Sequence, residues 1–371
     1  MWIRRLAVAV AAAAGTATLT GCIPIPETVK LPPPAVAGLK RGINAGNALD
    51  APTEGAWGPA LDEAYFDYVA AAGFDHVRLP VRFSARAAAT PPYTIDPTFF
   101  ARVDWAVDQA QQRGLTIIVD VHHYEELMAA PDAQAARFVG IWKQIAARYR
   151  SRPASVLYEL LNEPTKNLTA EKWNAVFPPA LAAIRAVDPT RKVIVDSVFW
   201  AAAKELPNLV VPADPNLIGS FHTYQPILFT HQGMSWMTAE YQTTGVVFPG
   251  PPPKPVTPVP GALQVDWVAK WFERYNGLPA AQNPSGPSTV QEEFEFARGF
   301  VERTHLPIYL GEFGAGSGAD MASRLAWTRM VRQEAERRGI GWCAWDDSGN
   351  MKVFDRATKR WEVEIRDALL K

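Results

Sequence analysis

The chain has 371 residues, 48% of them hydrophobic and 20% charged, enough to bury a sizeable core. A formal net charge of −1 leaves no basic field for a phosphate backbone and no polybasic stripe for an anionic membrane surface, so no nucleic acid or charged lipid partner is expected, only a neutral or weakly charged ligand. The 13 tryptophans raise the question of stacking platforms, but most aromatic rings fill cores, and only those beside polar motifs are candidates.

Met1-Trp2-Ile3-Arg4-Arg5 and the alanine-rich apolar run to Leu19 have the charged start and short apolar segment of an export signal, too short for a permanent membrane span. Leu19-Thr20-Gly21-Cys22 resembles a bacterial lipobox, in which the signal is removed ahead of a cysteine that then carries lipid; plain secretion with Cys22 incidental is the alternative. Residues 1–21 are thus expected to be a lipoprotein signal, residues 22–38 a proline-rich tether, and residues 39–371 one domain held off the membrane. The expected location is outside the cytoplasm, as a cell-surface or periplasm-facing lipoprotein or a secreted protein, touching membrane only through the N-terminal lipid. With Cys22 lipidated, Cys343 has no partner, so neither an intramolecular disulfide nor a cysteine-based zinc site is available.

Short β-rich apolar runs then alternate with longer helical patterns, the sequence form of repeated βα units around a buried parallel sheet. Strands are expected over 40–43, 76–79, 115–121, 156–161, 192–196, 217–221, 308–310 and 341–345. Helices are expected over 61–72, 99–113, 133–149, 171–187, 292–303, 322–338 and 363–370, with a weak one at 201–206. Eight such strands predict a single-domain (β/α)8 barrel. Residues 245–286, carrying Pro249-Gly250-Pro251-Pro252-Pro253-Lys254-Pro255, break the rhythm and predict a long proline-rich excursion after the sixth strand. Within it residues 267–275 read as a short helix capping the barrel, with a polymer-contacting helix as the alternative.

Barrel enzymes keep their chemistry where strands end, and three strand ends are polar here: His122-His123, Asn162-Glu163-Pro164 and Gly311-Glu312-Phe313-Gly314. The last two make the chain resemble glycoside hydrolase family 5, whose acid/base ends the fourth strand and whose nucleophile ends the seventh. The resemblance covers residues 40 to 371. It implies retaining hydrolysis by double displacement, with Glu163 as acid/base and Glu312 as nucleophile, about 5–5.5 Å apart across the barrel mouth. It implies further that Arg78 holds the nucleophile ionised, that Asn162 binds the sugar 2-hydroxyl, and that His222 and Tyr224 flank the carboxyls, with the tyrosine hydroxyl donating to the nucleophile. Trp345 would carry the sugar at the cleavage point.

Residues 42–52, 91–95, 122–127 and 229–233 are also similar to a bacterial endo-β-1,4-glucanase (cellulase) subgroup, some of whose members take mannan. That similarity assigns Asn47, Asp50, His123, His231 and Trp236 to sugar contacts on the non-reducing side, and His122 is a further substrate-binding candidate. The implied substrate is a β-1,4-glucan, cellulose-type or mixed-linkage, cut internally; mannan alone or both polymers is the alternative. Asp50 stands where the subgroup usually has glutamate, and Asp346-Asp347-Ser348 follows Trp345 where relatives are Gly- and aromatic-rich.

Two other classes remain. A non-catalytic surface sugar-binding lipoprotein should have lost one carboxyl, yet both are present. A metal-dependent hydrolase needs convergent ligands, and His122 and His123, as neighbours in an extended segment, are expected to point to opposite sides. No metal or organic cofactor is therefore expected, and a monomer is.

Overall fold

The structure, a computed structural model, describes residues 38–346 and 349–371. The expected signal, Cys22 and the tether up to residue 37 lie outside the described residues. Eight strands, β1 (Arg41–Asn44), β2 (His76–Val81), β3 (Thr116–Val121), β4 (Val156–Glu159), β5 (Val193–Asp196), β6 (Leu217–His222), β7 (Ile308–Phe313) and β8 (Gly341–Ala344), pair in sequence order, all parallel, and β8 returns to pair with β1. The sheet closes into the expected barrel.

Around it lie α1 (Glu63–Ala72), α2 (Pro97–Gln112), α3 (Pro131–Tyr149), α4 (Ala170–Arg185), α5 (Asp266–Gly277), α6 (Pro287–Thr304), α7 (Met321–Arg337) and α8 (Val363–Leu370). Their ends follow local chemistry. Asp62, Asp96 and Asp320 cap α1, α2 and α7 by accepting backbone N–H bonds in the first turn, and Gly73 ends α1 at φ 97°, a left-handed conformation that suits glycine. The weak helix expected at 201–206 is instead a short 3-10 turn, Ala203–Asn208.

The proline-rich excursion runs between β6 and α6. Its helix α5 buries Val268, Phe272 and Tyr275 in the main core, and the Tyr275 hydroxyl accepts the Val247 N–H at 2.7 Å. This favours the capping role, although Trp267 on the same helix stays 47% exposed.

Apart from Arg41 at the start of β1, the eight barrel strands are buried on both faces, so alternation decides which residues look toward the barrel axis. Ile118, Leu157, Ile194 and Ile218, with Leu39, Tyr309 and Cys343, form a separate apolar plug at the N-terminal end of the interior. Their neighbours Ile117, Val119, Val156, Val193 and Leu217 join the outer core beneath the helices. Two residues beyond the plug the same inward positions carry Asp120, Glu159, Asp196 and Ser220, all fully buried. Two further on come His122 and His222. The barrel thus changes from an apolar floor to a charged layer to a polar mouth.

One strand departs from alternation. Counting from Tyr309, Glu312 should face outward, but the pairing of β7 with both neighbours shifts between Leu310 and Phe313. Such a bulge re-aims the side chains beyond it, and it turns Glu312 into the barrel. Gly311 fits the crowded inner side, since a Cβ there would lie 2.7 Å from His222 Nε2 and 3.2 Å from Ser220 Oγ.

Candidate active site

The centre of the charged layer is Arg78, fully buried on β2. Its guanidinium donates to Glu159 through Nε at 2.8 Å and Nη2 at 2.5 Å, to Asn44 Oδ1 at 2.8 Å, to Glu312 Oε1 at 2.7 Å and to Asn162 Oδ1 at 2.7 Å, and lies 3.1 Å from Asp120. Only a planar fork of donors can serve so many acceptors at once, which explains an arginine rather than a lysine here.

Above it stand the two expected carboxyls. Glu163 lies beyond β4, in a left-handed conformation at φ 50°, with its backbone N–H donating to Asp196 Oδ2 at 3.1 Å. Its Oε1 is 2.9 Å from His222 Nδ1, and its side chain is 22% exposed against 5% for Glu312. Glu312 accepts the Tyr224 hydroxyl at 2.7 Å in addition to the Arg78 bond. Oxygens of the two carboxyls and a ring nitrogen of His222 lie within 4.8 Å of one another. This is the spacing of double displacement, not the 6.5–9.5 Å or so that leaves room for an inverting water.

Burial pushes both carboxyls up to about 7, with Glu159 adding to the rise at Glu163 and Arg78 opposing it at both. Burial also drives His222 down to about 4, so its imidazole is neutral and the proton that double displacement needs must sit on a carboxyl. The donors decide where it sits. Glu312 receives two strong ones, Arg78 and Tyr224, and is the better anion; Glu163, whose carboxyl meets only the neutral His222 ring, is the better acid.

The rim is built on both sides. Asn47 is left-handed at φ 58°, its side-chain amide donates to Asp346, and the backbone N–H groups of Asn47 and Ala48 hold Asp50 at 3.2 and 2.8 Å. His122 Nδ1 meets Asp120 at 2.6 Å, and the His122 ring lies parallel to Trp345 at 5.9 Å. On the other side, His231 packs edge-on to Tyr224 at 5.0 Å and to Trp236 at 5.4 Å, and Trp236 is 62% exposed.

His122 and His123 do not diverge. His123 is left-handed at φ 54°, which breaks the alternation assumed for an extended segment, and the two rings stand edge to face at 4.4 Å. With Asp50 they bring three ligand-type atoms within 4.8 Å. Two backbone N–H bonds hold the oxygens of Asp50, and Asp120 meets His122 Nδ1, so both side chains are fixed in place at the rim.

Several residues escaped sequence reading. Asn44, Asp120, Glu159 and Asp196 form the layer around Arg78; the acidic three had a signal, a charged residue inside the apolar runs Thr-Ile-Ile-Val-Asp-Val, Val-Leu-Tyr-Glu and Val-Ile-Val-Asp. Asp346, buried and raised to about 6 by that burial, ties the β8 loop to Asn47. Trp57, 46% exposed, packs edge-on to His123 at 5.6 Å. Phe199 and Trp200, 51% and 52% exposed, stand just after β5 in a run of three left-handed residues, and Trp200 N–H reaches Pro164 O at 3.3 Å beside Glu163. Nothing local in the sequence marks these three rings.

A (β/α)8 barrel with two carboxyls facing each other over a buried guanidinium defines the class of the glycoside hydrolases. Residues 41–350 match the family model described as Cellulase (glycosyl hydrolase family 5). The chain is 32% identical to Endoglucanase H of Acetivibrio thermocellus over 334 residues, 88% of this chain but 32% of that longer protein. Among solved structures it resembles Cel5A of Thermotoga maritima in complex with cellobiose, at 37% identity and TM-score 0.78 over 90% of this chain and 97% of that one. The same protein in complex with mannotriose superposes with TM-score 0.76 at 38% identity, over the same shares of the two chains. The cellulose synthase subunit Z of Clostridioides difficile matches at 31% identity and TM-score 0.78, over 90% of this chain and all of that one. The chain belongs to glycosyl hydrolase family 5.

Proposed function

We propose that the chain is a retaining endo-β-1,4-glucanase. The observation that carries this is the pair Glu163 and Glu312, with oxygens within 4.8 Å and unequal donors. Glu163 protonates the leaving oxygen while Glu312 attacks the anomeric carbon; Glu163, now a carboxylate, then takes a proton from the water that releases the glycosyl-enzyme. Arg78 and Tyr224 keep Glu312 ionised, and Asn162, oriented by Arg78, is set to bond the 2-hydroxyl. Trp345 supports the sugar at the cleavage point. Asn47, Asp50, His122, His123, His231, Trp236 and the unexpected Trp57 bind the non-reducing side. Phe199 and Trp200, next to the acid, offer the leaving chain an aromatic surface. All of this machinery comes from one chain, which suits a monomer, and no step calls for a metal, so a chelator leaves the rate unchanged.

Incubation with soluble β-1,4-glucan, mixed-linkage glucan and mannan, followed by product sizing and early NMR of the new anomeric centre, tests the reading. Glucan oligomers of several lengths with retained β configuration are expected. Exclusive release from chain ends, an inverted first product, or full activity of Glu312→Ala would overturn it. A glucanase that also cuts mannan is the second reading, favoured by the mannotriose complex of the similar Thermotoga maritima protein. We further propose export and anchoring through Cys22: the mature protein should partition into detergent, and Cys22→Ser should not.

A further inference from the structure

Arg78 holds Asp120 and Glu159 in the charged layer, but the third acidic group there is taken up neither by the guanidinium nor by double displacement. Asp196 ends β5, fully buried, and reaches the acid/base by two routes. Its Oδ2 accepts the backbone N–H of Glu163 at 3.1 Å, and the same oxygen lies 3.7 Å from Nε2 of His222, whose Nδ1 meets the Glu163 carboxyl. Glu163 sits at φ 50°, a conformation that is unfavourable for a side-chain-bearing residue and persists only where neighbours enforce it. We propose that Asp196 is a positioning residue for the acid/base: it clamps the Glu163 peptide in its left-handed turn and backs the His222 ring, so that the carboxyl meets the leaving oxygen. This rests on the reading of Glu163 as the acid.

The clamp works as a neutral acid. Asp120, Glu159, Asp196, Glu163 and Glu312 crowd round one guanidinium, and Arg78 contacts Asp120, Glu159 and Glu312 but not Asp196. One cation cannot offset five buried negative charges, so protons stay on the groups it does not reach. Asp196 Oδ1 is buried without a donor of its own, so it can carry the proton, with the Ser220 hydroxyl beside the carboxyl to accept it. Burial and the Glu159 charge push this carboxyl well above the usual range. An asparagine keeps the same shape, the same acceptor and the same zero charge.

The test compares two substrates in each variant by kcat/KM, which reports the first bond cleavage. An unactivated chain such as cellotetraose needs the acid; dinitrophenyl β-cellobioside, whose leaving group departs without a proton, does not. For Asp196→Ala we expect a loss of about 10- to 100-fold on cellotetraose, the scale of a misplaced catalytic group, and under about 3-fold on the activated substrate. Asp196→Asn should stay within about 3-fold of the unaltered enzyme on both, with the alkaline limb of its pH profile in place. Because the ratio is taken within one preparation, partial unfolding cancels. Equal losses on the two substrates, or an Asp196→Asn variant as impaired as Asp196→Ala, would overturn the proposal while an active unaltered enzyme leaves the glucanase reading intact. An unaltered enzyme inactive on both substrates would remove that reading and this inference with it.

Discussion

The hydroxyl of Tyr224 donates to Glu312 Oε2 at 2.7 Å. Among the described residues the Glu163 carboxyl has only the ring of His222 as a partner, at 2.9 Å. That asymmetry divides two carboxyls, both pushed up by burial, into an anion and an acid. Since Glu163 is pushed up to about 7 and, as the proposed acid, works protonated, kcat/KM should fall as pH rises through about 7. Tyr224→Phe removes a donor to the charged form of Glu312, so the nucleophile becomes harder to ionise and the acidic limb moves to higher pH. A hydrogen bond to a charged group is worth about 1.5–3 kcal/mol, which predicts roughly a 10- to 100-fold loss at the optimum. An acidic limb that stays in place or moves down in Tyr224→Phe would contradict this division.

Arg78 is the cation that touches three buried carboxylates, so its loss should be felt in stability as well as in rate. Removing one partner of a buried ionic cluster costs about 3–5 kcal/mol, and Arg78→Ala should lose that much in denaturant unfolding. Arg78→Lys keeps the charge without the fork and should still be severely impaired in kcat. A lysine variant with unaltered unfolding and rate would show that the geometry of the fork is dispensable.

The bulge in β7 makes a sharper test. In Gly311→Ala the new methyl would meet His222 Nε2 at 2.7 Å and displace the ring that contacts Glu163. A shift of this size predicts a fall of about 100-fold in kcat with a modest change in KM. Gly73→Ala serves as the control: its Cβ meets nothing within 4 Å, but φ is 97°, so it should cost about 1–2 kcal/mol of stability and leave kcat alone. Similar kinetics for the two variants would refute the role given to the bulge.

Phe199 and Trp200 present rings to solvent beside the acid. If they carry the leaving chain, Trp200→Ala should lower kcat/KM on long oligosaccharides by about 3- to 10-fold, in line with about 0.5–1.5 kcal/mol for an aromatic contact, and spare aryl cellobiosides. Equal effects on both substrate types would point to a structural role for the loop instead.

Much of this molecule is written locally. The short apolar runs, the helical stretches between them, and Asn162-Glu163-Pro164 and Gly311-Glu312-Phe313-Gly314 at strand ends depend on neighbouring residues alone, and they led to the barrel, the family and the two carboxyls. Arg78, His222 and Tyr224 were legible through the family resemblance, which places each at or just beyond a strand end.

What required the tertiary structure is wherever the backbone leaves the regular path. Non-glycine residues are left-handed at Asn47, His123, Glu163 and Phe199 through Ala201, and beyond the mild tolerance of Asn and His no local preference asks for this. Packing and hydrogen bonds from distant segments hold them there, which is why His122 and His123 converge against expectation and why Trp57, Phe199 and Trp200 reach the mouth unannounced. The shift in β7 is of the same kind, because register belongs to the pairing of three strands and not to any one of them. Composition and alternation specify a barrel with acids at its rim; closure of the sheet around a single guanidinium decides which acid can keep a proton.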